Sequence, residues 1–342
     1  MTTGQILPAS STEPGSLGVM HLKRYWDKSH LKKEGKIAAD AFAEEWNMDI
    51  TLLAVLGLGL EQTIRYLYSV DTDFKTFETW ILSSNNEQLD EYKINTFNNY
   101  VLSREVAFNA ADTDNNLLTD ADINFWEKHG YVIIREAISA DDCENTINAI
   151  CDFIDIRKDE PDTWYRSHPS RQGIMVQLFQ HPILQKNRLS AKIRFAYEQL
   201  WQRKDLWVNT DRVGFNPPET AHWKFPGPGL HWDVSLAQPI PFGLQGILYL
   251  SDTKANQGAF TLVPGFQHNI DDWLNNLLPD TNPRTENIHA FGAQPIVANA
   301  GDFIIWHHAL PHGSSPNITN QPRYVQYINY APLDAEVNPV WK

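Results

Sequence analysis

From about residue 174 onward the chain is a series of short β-type runs broken by turn residues, and no other feature limits its fold as strongly. IMVQLFQ, LWVNTDRVGF, FGLQGILYL, AFTLVPG, AQPIVA, DFIIWHHA and YVQYINY are rich in β-branched and aromatic residues, and Gly, Pro, Asn and Asp separate them. Many short strands with such turns predict a sandwich or barrel, and a jelly roll fits best. The amino-terminal part has a different period. KIAADAFAEEWNMD and LLAVLGLGLEQTIRYLYSV place apolar residues three and four apart, and FKTFETWILS reads as a further short helix.

Between these regions the capping signals are explicit. Thr119 with Asp122 opens a helix that Gly130 closes, residues 131–134 follow as a strand, and Ser139 with Asp142 opens a helix ending near Arg157. The expected fold class is α+β: a double-stranded β-helix (jelly-roll or cupin-like) core with flanking helices and an amino-terminal helical extension. Residues 1–18, rich in Pro, Gly and Ser, are expected to be disordered or loosely packed. Residues 19–115 would form the helical extension and 116–342 the jelly-roll domain. The long connection from Gly265 to Gln294 reads equally well as a lid or as a surface insertion.

Charge, apolar run length and residue spacing argue against several function classes. A formal net charge of -14 disfavours nucleic acid, whose phosphates need a basic surface. The longest apolar stretch, Ile50 to Leu60, is too short to span a membrane, and no secretory signal is visible, so a cytoplasmic location is expected. Cys143 and Cys151 are eight residues apart on a helical pattern, too far for a disulfide, and read as small apolar fillers. Asp112, Asp114 and Asn116 mimic the start of a calcium loop. Leu117 stands where that loop needs glycine and Ile123 where it needs a bidentate Glu, so the stretch reads as an acidic linker. The Gly57–Gly59 GLG triplet lacks the strand and the further glycine of a dinucleotide motif, and no phosphate role is expected of it.

The chemistry concentrates in four residues. His231 and Asp233 are two apart, so on an extended strand both side chains face one way, and His312 follows eighty-one residues later. Two imidazoles and one carboxylate on one face of iron(II) leave positions open for substrate and dioxygen. Arg323, eleven residues past His312, lies on an alternating strand with Val325 and Tyr327 on the same face. Its planar guanidinium matches a carboxylate, such as the distal one of 2-oxoglutarate, with Ser314 able to donate a further hydrogen bond. Gln177 could hydrogen-bond the co-substrate and Arg212 could pair with an acidic substrate. For each, an ordinary polar residue on a half-exposed strand is at least as good a reading. His307 and His308 read as core or supporting residues beside the site.

LTDADINFWEKHGYVII, HWD, GAFTLVPGFQH and HGSSPNITNQPR together resemble the phytanoyl-CoA dioxygenase family of iron(II)/2-oxoglutarate oxygenases, over about Leu118 to Ala331. The resemblance implies His231, Asp233 and His312 as iron ligands, and Arg323 and Ser314 as the residues holding 2-oxoglutarate. Dioxygen would be the co-substrate, and the products would be succinate, carbon dioxide and an oxidised small organic molecule. Related halogenases put a small residue where Asp233 stands, so hydroxylation or another oxidation is expected over halogenation. The competing reading is a non-catalytic jelly-roll protein that binds a metal or a small molecule.

Overall fold

The three-and-four spacing of the amino-terminal region gives five helices, Leu22–Lys33, Trp46–Val55, Leu60–Ser69, Phe74–Ser84 and Glu91–Ser103. The structure is a computed structural model and describes residues 7–103 and 116–342. Leu22, Leu52, Leu53, Phe77, Ile81 and Phe97 from these helices are fully or almost fully buried in one cluster. Burying each such side chain contributes roughly 1.5–3 kcal/mol. Gly57 divides the second helix from the third: at φ 63° it adopts the left-handed conformation that ends a helix, and Leu58 N then donates to Leu53 O. The GLG triplet is therefore a helix stop.

Two expectations are corrected in this unit. From Pro8 to Gly18 the chain is tied down rather than loose. Ala9 N donates to Asp27 Oδ2 at 2.8 Å, and Ser16 Oγ and Leu17 N both donate to the buried Glu78 carboxylate. Polar residues that predict disorder also make good hydrogen-bond partners once a packed surface presents an acceptor. Residues 1–6 lie outside the described residues, as do Asp112 and Asp114 of the calcium-like stretch. Second, the helical unit takes in 204–210 and 332–340, which the sequence reading gave to the jelly roll. Trp207 and Leu333 from these returns are buried in the helical core, and long-range returns of this kind leave no local sequence signal.

A buried ion network braces the helices. Lys28, 3% exposed, donates to both oxygens of Asp49 and to Glu45 Oε2, Arg24 forks onto Glu45, and His21 Nε2 lies 2.9 Å from Asp49 Oδ1. His21, Glu45 and Asp49 are close enough together to hold a metal ion, but the Lys28 ammonium already supplies the cation there. Burial raises the Glu45 pKa, and the bonds from Arg24 and Lys28 outweigh it, bringing the carboxyl to about 2. A depressed carboxylate contributes stability above its unfolded pKa near 4.5 and loses it as pH falls through 2. Glu45→Gln is thus expected to cost on the order of 3 kcal/mol at pH 7, with the difference from wild type shrinking towards pH 2. Denaturant midpoints at pH 7 and pH 3 check this. An equal deficit at both values would show that ionisation is not what Glu45 contributes.

The second unit, residues 116–203, 211–331 and 341–342, combines helices with antiparallel sheet. Helix Asp120–His129 starts at the Thr119–Asp122 capping box and ends at Gly130, φ 73°, as the sequence predicts. Ser139 caps Ala140–Phe153, which ends four residues earlier than expected and buries Cys143 and Cys151 as free thiols. Two helices, Pro182–Arg188 and Ala191–Trp201, fall between the β-type runs at 174–180 and 206–215, where the sequence reading assigned no element. Ile193, Ala196, Tyr197 and Leu200 carry the helical period, and Ser190 caps Ile193, so the signal was present in the sequence.

A seven-stranded sheet runs in the order 131–134, 303–307, 244–249, 323–327, 213–216, 175–176, 171–172. A three-stranded sheet joins 312–313, 261–262 and 294–295. Ile247, Tyr249, Ile304 and Val325 from the large sheet share one buried cluster with Leu262 from the small one and with Trp232 and Phe260. Every strand pairing in both sheets is antiparallel. Among the described residues no helix is long and apolar enough to cross a membrane.

Candidate metal centre

His231 and His312 meet through their backbones. His231 N donates to His312 O at 2.8 Å and His312 N to His231 O at 3.0 Å, an isolated antiparallel bridge. His312 begins a short strand paired with Thr261–Leu262, which fixes its height above the core. The sequence reading placed His231 and Asp233 on one extended strand. Only the bridge at His231 is regular, and the chain bends at Asp233, so the carboxylate reaches the imidazoles from a turn. Trp232 points the other way, as expected, and is buried with its Nε1 donating to Ala309 O at 2.8 Å.

The three side chains converge. Asp233 Oδ1 lies 3.3 Å from His231 Nε2 and Oδ2 lies 3.3 Å from His312 Nε2, and one donor atom from each residue falls within 4.8 Å of the others. The outer imidazole nitrogens are engaged, His231 Nδ1 with Gly229 O at 2.8 Å and His312 Nδ1 with Leu310 O at 3.0 Å. When each Nδ1 carries the proton and donates it to its carbonyl, each Nε2 presents a lone pair to a carboxylate oxygen. Three acceptors facing one point repel unless a cation or proton lies among them. Electrostatics agree. Burial lowers the His231 pKa, but the hydrogen bond and charge of Asp233 outweigh it and raise the value. Burial raises the Asp233 pKa, but bonds from both histidines hold the carboxyl far below the usual range. The cluster therefore favours positive charge at its centre.

Asp233 is half-exposed and opens onto a cavity of about 570 Å³, whose walls include Met175, Arg212, Gln245, Phe260, Trp306 and Tyr327. Arg212 is thus placed at the site. Gln177 is not among the lining residues: its strand stops at Val176, and Gln172, Ile174 and Met175 take the wall positions instead. His307 and His308 lie outside the cluster, and burial pushes their pKa values down to about 3 and 4, as befits neutral core imidazoles.

Arg323 is fully buried at the start of strand Arg323–Tyr327, and its Nη2 donates to Ser314 Oγ at 3.0 Å. Among the described residues its Nε and Nη1 have no hydrogen-bond partner. Ser314 itself lines the cavity. A buried guanidinium with two idle donors needs an anion, because an uncompensated buried charge is costly.

Sequence reasoning missed Gln245 and Trp306. They are cross-strand partners on 244–249 and 303–307, and Gln245 Nε2 donates to Asp233 Oδ2 at 2.8 Å. Among the described residues Gln245 Oε1 and Trp306 Nε1 have no hydrogen-bond partner at the cavity wall. Neither residue belongs to a motif, and only the register between strands about sixty residues apart reveals them.

The phytanoyl-CoA dioxygenase (PhyH) family profile matches residues 126–325, more than half of the chain. The chain belongs to the phytanoyl-CoA dioxygenase family. A Dictyostelium discoideum protein that carries the family's name is 25% identical over 268 residues, covering 63% of this chain and 76% of that protein. Among solved structures, apo EctD from S. alaskensis aligns over 67% of this chain and 82% of its own, with 17% identity and a TM-score of 0.48. The carbocyclase SnoK of nogalamycin biosynthesis, described as non-heme and α-ketoglutarate dependent, aligns over 67% and 90%, with 18% identity and a TM-score of 0.46. The epimerase SnoN, solved with Fe3+, α-ketoglutarate and nogalamycin RO, aligns over 62% and 83%, with 17% identity and a TM-score of 0.46.

Proposed function

We propose that this member of the family is an iron(II)- and 2-oxoglutarate-dependent dioxygenase that hydroxylates a C–H bond of a small organic molecule in the cytoplasm. The two sheets would form the faces of a double-stranded β-helix with the site at one end. The observation that carries the reading is the convergence of His231, Asp233 and His312 on a cavity also lined by Ser314, which accepts from a buried arginine with two idle donors. The donor set suits the metal: two neutral imidazoles and one carboxylate offset only one of two positive charges, leaving charge to attract an anionic chelator. Bound iron would supply activation of dioxygen, with 2-oxoglutarate giving up the electrons and leaving as succinate and carbon dioxide.

The chain's own residues would do the rest. Arg323 Nε and Nη1, with Ser314 at its flank, would bind the far carboxylate of 2-oxoglutarate and set its direction relative to the cluster. The carbonyls of Gly229 and Leu310 hold the histidine rings so that Nε2 faces inward. Gln245 holds one carboxylate oxygen of Asp233. Phe260 and Trp306 pack against His312 with ring centroids 5.9 and 5.0 Å away, which keeps water from its buried side. Arg212, at the wall, would meet an acidic group on the substrate.

The test is an anaerobic titration of the purified chain with iron(II) and then 2-oxoglutarate, followed by visible absorbance. A screen of small acids for coupled succinate release should follow. A visible band that requires both additions supports the reading. Iron binding with no change on adding 2-oxoglutarate would favour a metal-binding protein without this chemistry.

A further inference from the structure

The three members of the cluster are not held alike. His231 and His312 lock each other through two backbone hydrogen bonds, so their separation follows from the bridge. Asp233 lies beyond that bridge, in a bend outside any strand. What holds its backbone comes from the long 265–294 connection. Arg284 Nη1 donates to Trp232 O at 2.8 Å, and Arg284 Nη2 donates to Val234 O at 2.6 Å. One guanidinium thus grips the carbonyls immediately before and immediately after the carboxylate-bearing residue.

The grip is itself braced. The Arg284 guanidinium carbon lies 4.7 Å from the centroid of the Trp341 ring, and Nη2 also donates to Lys342 O at 3.0 Å. The same Lys342 carbonyl accepts from Leu236 N, and Lys342 N donates to Ser235 Oγ, both at 3.1 Å. Residues 341–342 therefore form a second short clasp on the segment that carries Asp233. Pro283, buried at the start of the 283–285 turn, and Asn282 Oδ1, which accepts from Arg284 N, fix the arginine at its base.

We propose that Arg284 is the positioning residue for Asp233, substituting for the strand pairing that the segment lacks, with Trp341 as its platform. The proposal rests on the metal-centre reading above. A planar fork holding the Trp232 and Val234 carbonyls fixes the peptide plane just before Asp233 and the one just after Val234, and so limits how the short stretch between them can turn and where the Asp233 side chain leaves the chain. Carboxylate direction is what a facial two-histidine, one-carboxylate site requires, because a ligand rotated out of line weakens every bond to the ion. On this account the 265–294 connection is neither a lid nor an idle insertion; it reaches inward to the ligand set.

The experiment compares the full-length wild type with Arg284→Met, Arg284→Lys and Trp341→Ala, using Co(II) as a visible-absorbing probe. Each apo protein is first melted, then titrated with Co(II), and the position and intensity of the absorption bands are recorded. Arg284→Met should weaken Co(II) binding by about 10–100-fold, the usual cost of losing an outer-shell partner, and should alter the band shape. Arg284→Lys reaches one carbonyl only and should fall between. Trp341→Ala should weaken binding severalfold, and it keeps the test open if Arg284→Met does not fold. Variants that melt lower yet bind Co(II) with wild-type affinity and an unchanged spectrum would make Arg284 merely structural and overturn the proposal. A wild type that binds no Co(II) would instead sink the metal-centre reading itself.

Discussion

Asp233→Ala is expected to lower iron(II) affinity by more than a hundredfold, beyond the roughly 10–100-fold that follows from losing a supporting partner. The carboxylate is the only anionic member of the cluster, and its two oxygens address the two imidazoles separately at 3.3 Å each. Removing it leaves two neutral nitrogens, one on part-exposed His231 and one on buried His312, that must compete with water for a dication. The fold should survive. Asp233 is half-exposed, and the backbone contacts of Trp232 and Val234 with Arg284 do not depend on its side chain. Apo melting temperatures within a few degrees, about 2–4 °C per kcal/mol for a chain of this order, together with lost iron binding, would meet the expectation. Retained iron stoichiometry and succinate release in the variant would end the assignment of Asp233 as a ligand.

Arg323→Lys is expected to raise the apparent Kd for 2-oxoglutarate more than tenfold, about 1.4 kcal/mol, while iron binding changes little. Lysine preserves the charge but replaces a planar fork by a single point, so a bidentate contact becomes a monodentate one. The substitution also leaves Ser314 Oγ without its present donor. Because Arg323 has no exposed surface, its idle Nε and Nη1 cannot be serving solvent. Titrating 2-oxoglutarate into the iron-loaded variant under anaerobic conditions gives the number directly. An unchanged curve would mean that those two donors face something other than the co-substrate.

Much of the site could be read before the structure. Residue type and spacing single out His231, Asp233, His312, Arg323 and Ser314; the structure clusters the first three and joins the last two by a hydrogen bond. Arg212 lines the cavity and Gln177 does not. Strand alternation predicts a face only where a strand continues, and this one stops at Val176. The helices at 182–188 and 191–201 have a visible period and caps but are short and lie between β-type runs, where so few turns make a weak periodic signal.

The sequence is enough to read the helix caps at Thr119, Gly130 and Ser139, the β-rich character of the second half, and the candidate residues for a metal and a keto acid. These are local matters: propensity, capping and donor chemistry act within a few residues. Tertiary structure alone decided that Trp207 and Leu333 return to the helical core, that Gln245 stands across from Trp306, and that Arg284 grips both sides of Asp233. Those relations depend on register and on chain returns across tens to hundreds of residues, where many pairings are compatible with the same local pattern and only the packed whole selects one.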